Sequence, residues 1–178
     1  MSKRIIATLV GAVLLFIWQF LSWSLLNVHA AEQMYTPNQD RILEFLGGQL
    51  EEGHYFLPTV PPGTSQEDAQ AAMEAAAGQP WATISYHSAM ENTMTMNLIR
   101  GFAIDLVSVF LLVWLLLNMA KLNFSTALLA SLAIGIIGYL TIPYLGAIWF
   151  KTPSLGYLID AVVGWGLVGV WLGWYLNR

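Results

Sequence analysis

The sequence contains no cysteine and few charged residues. Without a thiol, the chain forms no disulfide and offers no thiolate nucleophile, iron–sulfur ligand or Cys-ligated zinc site. The net charge is −4 and no basic cluster is present, which argues against a nucleic-acid partner. Phosphate-binding loops, dinucleotide-binding glycine patterns and the common zinc-protease and serine-hydrolase motifs are also missing. We therefore expect no catalytic residues and no cofactor, and the sequence favours a non-enzymatic role.

Apolar residues dominate instead, at 57% of the chain. A helix that spans a bilayer needs about 20 mostly apolar residues. Four runs meet this length, and they cover residues 5–27, 97–119, 124–150 and 155–176. The predicted fold class is an all-α membrane protein with four transmembrane helices, embedded in a lipid bilayer.

The first run has two interpretations. Lys3 and Arg4 precede it, and Val28-His29-Ala30 resembles a small-residue cleavage site, a combination typical of secretory signal peptides. However, the apolar stretch is longer than the roughly 7–15 residues usual for such a signal. We therefore favour a retained first span.

The positions of Lys and Arg predict the orientation of the chain, because cytoplasmic loops are enriched in both. If the runs alternate across the membrane, Arg41 and Lys151 fall on one side. The larger group falls on the other side, namely Lys3, Arg4, Lys121 and Arg178. We expect both termini to be cytoplasmic and residues 30–95 to be periplasmic or otherwise extracytoplasmic.

The long segment between the first two runs predicts a small α/β cap. Thr36 and Pro37 are typical of a helix start, and Ser65 of a second one. Two extended stretches, at 54–60 and 81–89, flank the second helix and are expected to pair. The predicted organisation is a first transmembrane helix, a cap and three further transmembrane helices, at 1–29, 30–95 and 96–178.

Two acids lie inside predicted spans, Asp105 in the second and Asp160 in the fourth. An ionisable residue within a span is costly and is by default a candidate functional residue. Helical spacing places both acids toward the bundle interior. The sequence predicts an outward-facing polar pocket formed by Gln19, Ser22, His29, Arg100, Asp105 and Asp160. The pocket either handles a proton, cation or small ligand, or joins helices through hydrogen bonds and an ion pair with Arg100.

A second candidate site follows the cap, in the stretch HSAMENTMTM. Its imidazole and thioethers are the soft ligands that Cu(I) prefers. This predicts a possible copper site at His87, Met90, Met94 and Met96. The alternative is that methionines fill irregular apolar gaps where the chain re-enters the membrane.

Small residues mark a possible helix-packing interface on the fourth run. Gly166, Gly169 and Gly173 form a face nearly opposite Asp160. Small residues allow close helix approach in membranes. We expect this face to meet another helix, belonging to this chain, to a partner subunit or to a second copy in a homo-oligomer.

The stretches FIWQFLSWSLLNVH, GHYFLP and RGFAIDLVSVFLLVWLLL resemble a family of small uncharacterised four-span bacterial inner-membrane proteins. In that family the first span ends in a Trp-rich motif with a His, and an outer Gly-x-Tyr-x-Leu-Pro element follows. Trp23, His29 and the stretch 53–58 correspond here. The sequence lacks the Pro and Trp that often precede the family's His. The resemblance implies four spans and a bacterial inner membrane, and it implies no known activity.

These patterns support two main functional hypotheses. The first is an accessory or structural subunit of a larger membrane complex, supported by the glycine face and the absence of catalytic motifs. The alternative is binding or transport of a small ligand, a proton or a metal ion through the outward-facing pocket. A membrane enzyme that uses His29 and His87 for acid–base chemistry is the least favoured class.

Overall fold

The computed structural model describes residues 2–178, which divide into two compact units. The first unit takes Met1–Met34 and Thr93–Arg178, and the second takes Tyr35–Asn92. Four helices in the first unit are long and apolar enough to cross a membrane. The second unit contains two short helices and a two-stranded sheet.

In chain order the helices are α1 (Lys3–Ser24), α2 (Gln39–Gly47), α3 (Gln66–Ala75), α4 (Met94–Leu117), α5 (Phe124–Tyr139), α6 (Leu145–Phe150) and α7 (Leu155–Leu176). The strands are β1 (Gly53–Leu57) and β2 (Ala82–Tyr86). All four apolar runs predicted from the sequence are therefore helical. The third is continuous from Phe124 to Phe150 but changes its winding in the middle.

Pro143 causes that change of winding. Proline has no N–H and clashes with the preceding turn of an α-helix. The chain accommodates it in a wider, π-helical turn at Leu140–Tyr144 that joins α5 to α6. Within this turn, the Thr141 hydroxyl donates to the Ile137 carbonyl at 2.7 Å. The widened turn lies beside the face of α7 that carries Asp160.

Helix α7 is the centre of the first unit. It packs against α1 on one side and α5 on the other, and α4 packs against α1. Helices α4 and α5 follow each other in sequence but barely touch. The fully buried apolar side chains of the core lie on α1, α4, α5 and α7, and they include Ala7, Ala12, Val109, Leu112, Val113, Leu116, Ala127, Val168 and Leu172.

The chain termini meet at one end of this unit. The Lys3 ammonium donates to the carbonyl oxygens of Leu176, at 3.1 Å, and Arg178, at 2.6 Å. The last carbonyl groups of a helix have no intrahelical partner. A cation near them also interacts favourably with the negative end of the helix dipole. Lys3 therefore joins the start of α1 to the end of α7.

The second unit is built on a short antiparallel pairing. Strand β1 runs against β2, with Gly53 opposite Tyr86 and Leu57 opposite Ala82. The helix N-cap predicted at Ser65 is present, since the Ser65 hydroxyl oxygen accepts from the Asp68 N–H at 3.1 Å. The predicted start at Pro37 is wrong, because α2 begins only at Gln39.

The ends of the two strands are joined by one polar contact. Ser88 follows β2, and both its N–H and its hydroxyl donate to the Glu52 carboxylate before β1. These hydrogen bonds favour the ionised form and lower the pKa of Glu52 below its usual range. The pair closes the open end of the hairpin.

The contact between α5 and α7 gives a prediction at two glycines. A Cβ at Gly135 would lie 2.6 Å from both the Ala161 carbonyl oxygen and a ring carbon of Trp165, whereas a Cβ at Gly138 would meet nothing within 4 Å. We expect Gly135→Ala to lower the free energy of unfolding by about 1–3 kcal/mol, because overpacking forces the helices apart. Thermal unfolding in detergent micelles measures this, with Gly138→Ala as control. Equal stability of the two variants would contradict the close contact.

Candidate functional site

The segment after α1 folds back over the end of that helix. Asn27 adopts a left-handed backbone conformation, with φ of 51°, which asparagine tolerates better than most residues. The Val28 N–H then donates to the Ser22 carbonyl at 3.3 Å. This reversal directs His29 inward, where it is only 3% exposed.

Carboxylates occupy both sides of the His29 ring. Nδ1 lies 2.9 Å from Glu32 Oε1, and Nε2 lies 2.8 Å from Asp160 Oδ2 on α7. The Trp23 ring stacks on the imidazole, with centroids 3.7 Å apart. A Cβ at Gly156 would lie 2.8 Å from His29 Nδ1, so only glycine allows the ring to pack this closely on α7.

Two side chains of α1 also form hydrogen bonds with Asp160. Its Oδ1 accepts from the Trp18 indole N–H at 3.0 Å and from the Ser22 hydroxyl at 2.5 Å. Trp18 and Ser22 are four residues apart, so one face of α1 presents both donors. Asp160 therefore forms hydrogen bonds with three side chains from two separate segments.

The arrangement has room for one shared proton. An ionised carboxylate only accepts hydrogen bonds, whereas a neutral imidazole has one donor and one acceptor nitrogen. His29 faces a carboxyl group through each nitrogen, so one proton beyond the neutral imidazole's own would complete both hydrogen bonds. We call His29, Glu32 and Asp160 the His29 relay.

A cleft of about 340 Å³ adjoins the relay. It lies over α7 between α1 and α5, which both pack on α7 but make no extended contact with each other. Among residues 2–178, Asp160 is the only acid that lines it, and no Lys or Arg does. Five aromatic side chains line its walls, namely Trp18, Trp23, Tyr139, Tyr157 and Trp165.

Asp105 lies on the other side of α1 and forms a separate site. Its Oδ1 accepts from the Gln19 amide at 3.0 Å, and its Oδ2 has no partner among residues 2–178. No hydrogen bond joins it to Asp160 within that range. Gln19 also lines the cleft, so it lies between the two acids.

The structure brings together only part of the predicted pocket. Ser22, His29 and Asp160 meet in one network, and Gln19 pairs with Asp105. Arg100 is exposed and forms no ion pair with any described residue, so it does not neutralise either acid. The sequence reasoning missed Glu32, although its three-residue spacing from His29 is visible in the sequence.

The four residues of the predicted copper site do not all lie on one helix. Helix α4 begins at Met94, and His87 and Met90 belong to the second unit. His87 is exposed and Met90 is fully so. Within residues 2–178, no three His, Asp or Glu side chains are placed to hold a metal ion. Copper binding by these residues stays a prediction.

The predicted glycine interface lies inside the chain. A Cβ at Gly169 would meet Leu128 and Ser131, and one at Gly173 would meet Phe124, all on α5. Gly166 also faces α5, at ordinary contact distance from Leu132. The face therefore packs against α5 of the same chain, and a partner subunit stays a prediction.

Three comparisons with known proteins place no relative beside this chain. No protein-family model, no curated protein and no solved structure matches it. The geometry of the chain itself therefore carries the functional argument.

The three hydrogen-bond partners of Asp160 predict different outcomes for two substitutions at this position. Asp160→Leu leaves buried donors on Trp18, Ser22 and His29 without an acceptor, at a cost of about 1–3 kcal/mol for each. Asp160→Asn retains an acceptor oxygen for α1 and offers an N–H to His29. We expect thermal unfolding in micelles to show a large loss of stability for Asp160→Leu and less than half of it for Asp160→Asn. Wild-type stability in both variants would show that the network does not hold α1 to α7.

Proposed function

We propose that this chain is an integral membrane protein that holds and exchanges a proton through the His29 relay. The supporting observation is that both ring nitrogens of a buried histidine lie within 2.9 Å of carboxylate oxygens. Glu32 is partly exposed at the end of the unit, while Asp160 faces the cleft. A proton taken up at Glu32 thus reaches the cleft by one transfer across the imidazole.

The chemistry of histidine suits this role. Its unperturbed charge change lies closest to physiological pH among the common side chains. An imidazole passes a proton by accepting it on one nitrogen and releasing the hydrogen on the other. Stacking on Trp23 holds the ring plane so that both nitrogens stay aligned with their carboxylates.

The relay favours proton handling over the accessory-subunit hypothesis. That hypothesis took part of its support from a glycine face available to another protein, and α5 packs against that face. A purely structural clamp between α1 and α7 is already provided by Trp18 and Ser22, which both donate to Asp160. Glu32 contacts the Tyr157 side chain on α7 as well as His29, and a proton path through the ring requires a carboxylate at this position.

Histidine NMR tests the relay directly. In protein labelled with ¹⁵N-histidine, we expect the His29 signals to report a hydrogen bond at each ring nitrogen, because each faces a carboxyl group. Glu32→Gln and Asp160→Asn should each shift the His29 signals. Spectra in lipid nanodiscs over a range of pH provide the measurement.

The other two histidines serve as internal references. His54 and His87 are exposed in the second unit, so neither variant should alter their signals. His29→Gln assigns the His29 resonances by their loss. If the His29 signals match those of His54 and His87, and neither carboxyl variant moves them, the relay holds no shared proton.

We also propose that both termini are cytoplasmic and that residues 35–92 lie outside the cell membrane, as in a bacterial inner-membrane protein with a periplasmic segment. The distribution of Lys and Arg supports this orientation. The contact of Lys3 with the last residues of α7 is compatible with it, since the two termini lie together.

Introduced cysteines test the orientation without background, because the native chain has none. Glu67 and Lys121 are both exposed, in the second unit and between α4 and α5 respectively. In intact cells, an impermeant maleimide should label Glu67→Cys, while Lys121→Cys should react only after the cells are lysed. The reverse pattern would show the opposite orientation.

A further inference from the structure

A proton relay needs no cavity, yet the relay borders one. The cleft of about 340 Å³ lies within the range of small-molecule sites, which extends from about 300 to 1,000 Å³. Its walls come from three spans, so a ligand reaches it from the bilayer or from the end of the unit. The volume and position of the cleft call for an occupant larger than a proton.

The charge of the cleft indicates the sign of that occupant. The His29 relay has two acids for one imidazole, so with both acids ionised it keeps a net negative charge even when the ring is protonated. Among the described residues, no Lys or Arg pairs with Asp160 or Glu32. A monovalent cation beside Asp160 balances the remaining charge.

The lining indicates the chemical type of the cation. Hard metal ions require six or more oxygen ligands, and here the Asp160 carboxylate already accepts from Trp18, Ser22 and His29. The remaining wall is largely aromatic. Aromatic faces attract organic cations, and quaternary ammonium groups are commonly bound in aromatic cages.

We infer that the cleft between α1, α5 and α7 binds a lipid-soluble organic ammonium ion whose charge lies beside Asp160. This inference rests on the proposed function, since the relay sets the charge of the site. Binding of the cation and uptake of a further proton compete for the same negative charge. The site thereby couples ammonium binding to proton release.

Gly138 permits a steric test that leaves the relay untouched. It lines the cleft, and a Cβ there would meet nothing within 4 Å. A leucine side chain at this position fills space in the cleft without displacing backbone. Gly146→Leu is the matched control, because Gly146 on α6 has the same open surroundings and does not line the cleft.

The ligand probes are a matched pair of phenyltrimethylammonium and tert-butylbenzene, which differ in one atom and one charge. Titration calorimetry of protein in maltoside micelles, which carry no ammonium group, measures the binding of each. We expect the ammonium to bind at least about tenfold more tightly than the hydrocarbon, as a desolvated cation–aromatic contact provides. Gly138→Leu should weaken binding of the ammonium probe by a similar factor, whereas Gly146→Leu should leave it unchanged. Asp160→Asn should abolish the preference for the ammonium over the hydrocarbon.

Equal binding of the two probes, or ammonium binding that Gly138→Leu leaves unchanged, overturns the inference. Competition by phosphatidylethanolamine but not phosphatidylglycerol would identify a lipid headgroup as the ammonium source, whereas competition by neither would indicate a free compound. His29 NMR of the same samples separates the two proposals. If His29 titrates as part of the relay but no ammonium binds, only the inference fails. If ammonium binds while the Glu32 and Asp160 variants leave His29 unchanged, only the proton relay fails.

Discussion

The close approach of α1 to α7 is the contact on which the rest of the first unit depends. It is possible because α7 presents glycine at two levels, where Gly156 faces His29 and Gly164 faces Leu15 and Trp18. Any side chain at these positions would separate the helices. Asp160 lies between the two glycines, so the same approach that packs the helices brings its carboxylate within reach of donors on α1.

The hydrocarbon of a bilayer provides no water to satisfy a buried polar group, so each must find a partner in the protein. Asp160 meets this requirement fully, with hydrogen bonds from Trp18, Ser22 and His29. Asp105 meets it in part, through Gln19 alone. The two acids that look equivalent in sequence thus occupy different environments, because α1 lies between the helices that carry them.

Proton handling and cation binding depend on one feature, the presence of two acids around a single imidazole. Two carboxylates and one imidazole cannot reach neutrality with a single shared proton. Trp23 covers one face of the ring, and the cleft lies beside Asp160. Asp160 therefore faces a cavity whose walls include five aromatic side chains.

The sequence by itself determined the four helices, the helix N-cap at Ser65 and the two acids within spans. Run length, capping chemistry and the cost of buried charge each act locally. The sequence did not determine which acid meets which partner. Asp160 and His29 are 131 residues apart, and their contact depends on the order in which α4, α1, α7 and α5 pack. That order brought His29 to Asp160, left Arg100 exposed, and turned the face with Gly166, Gly169 and Gly173 onto α5. Helical periodicity shows which residues share a face, but only the packed structure decides what that face meets.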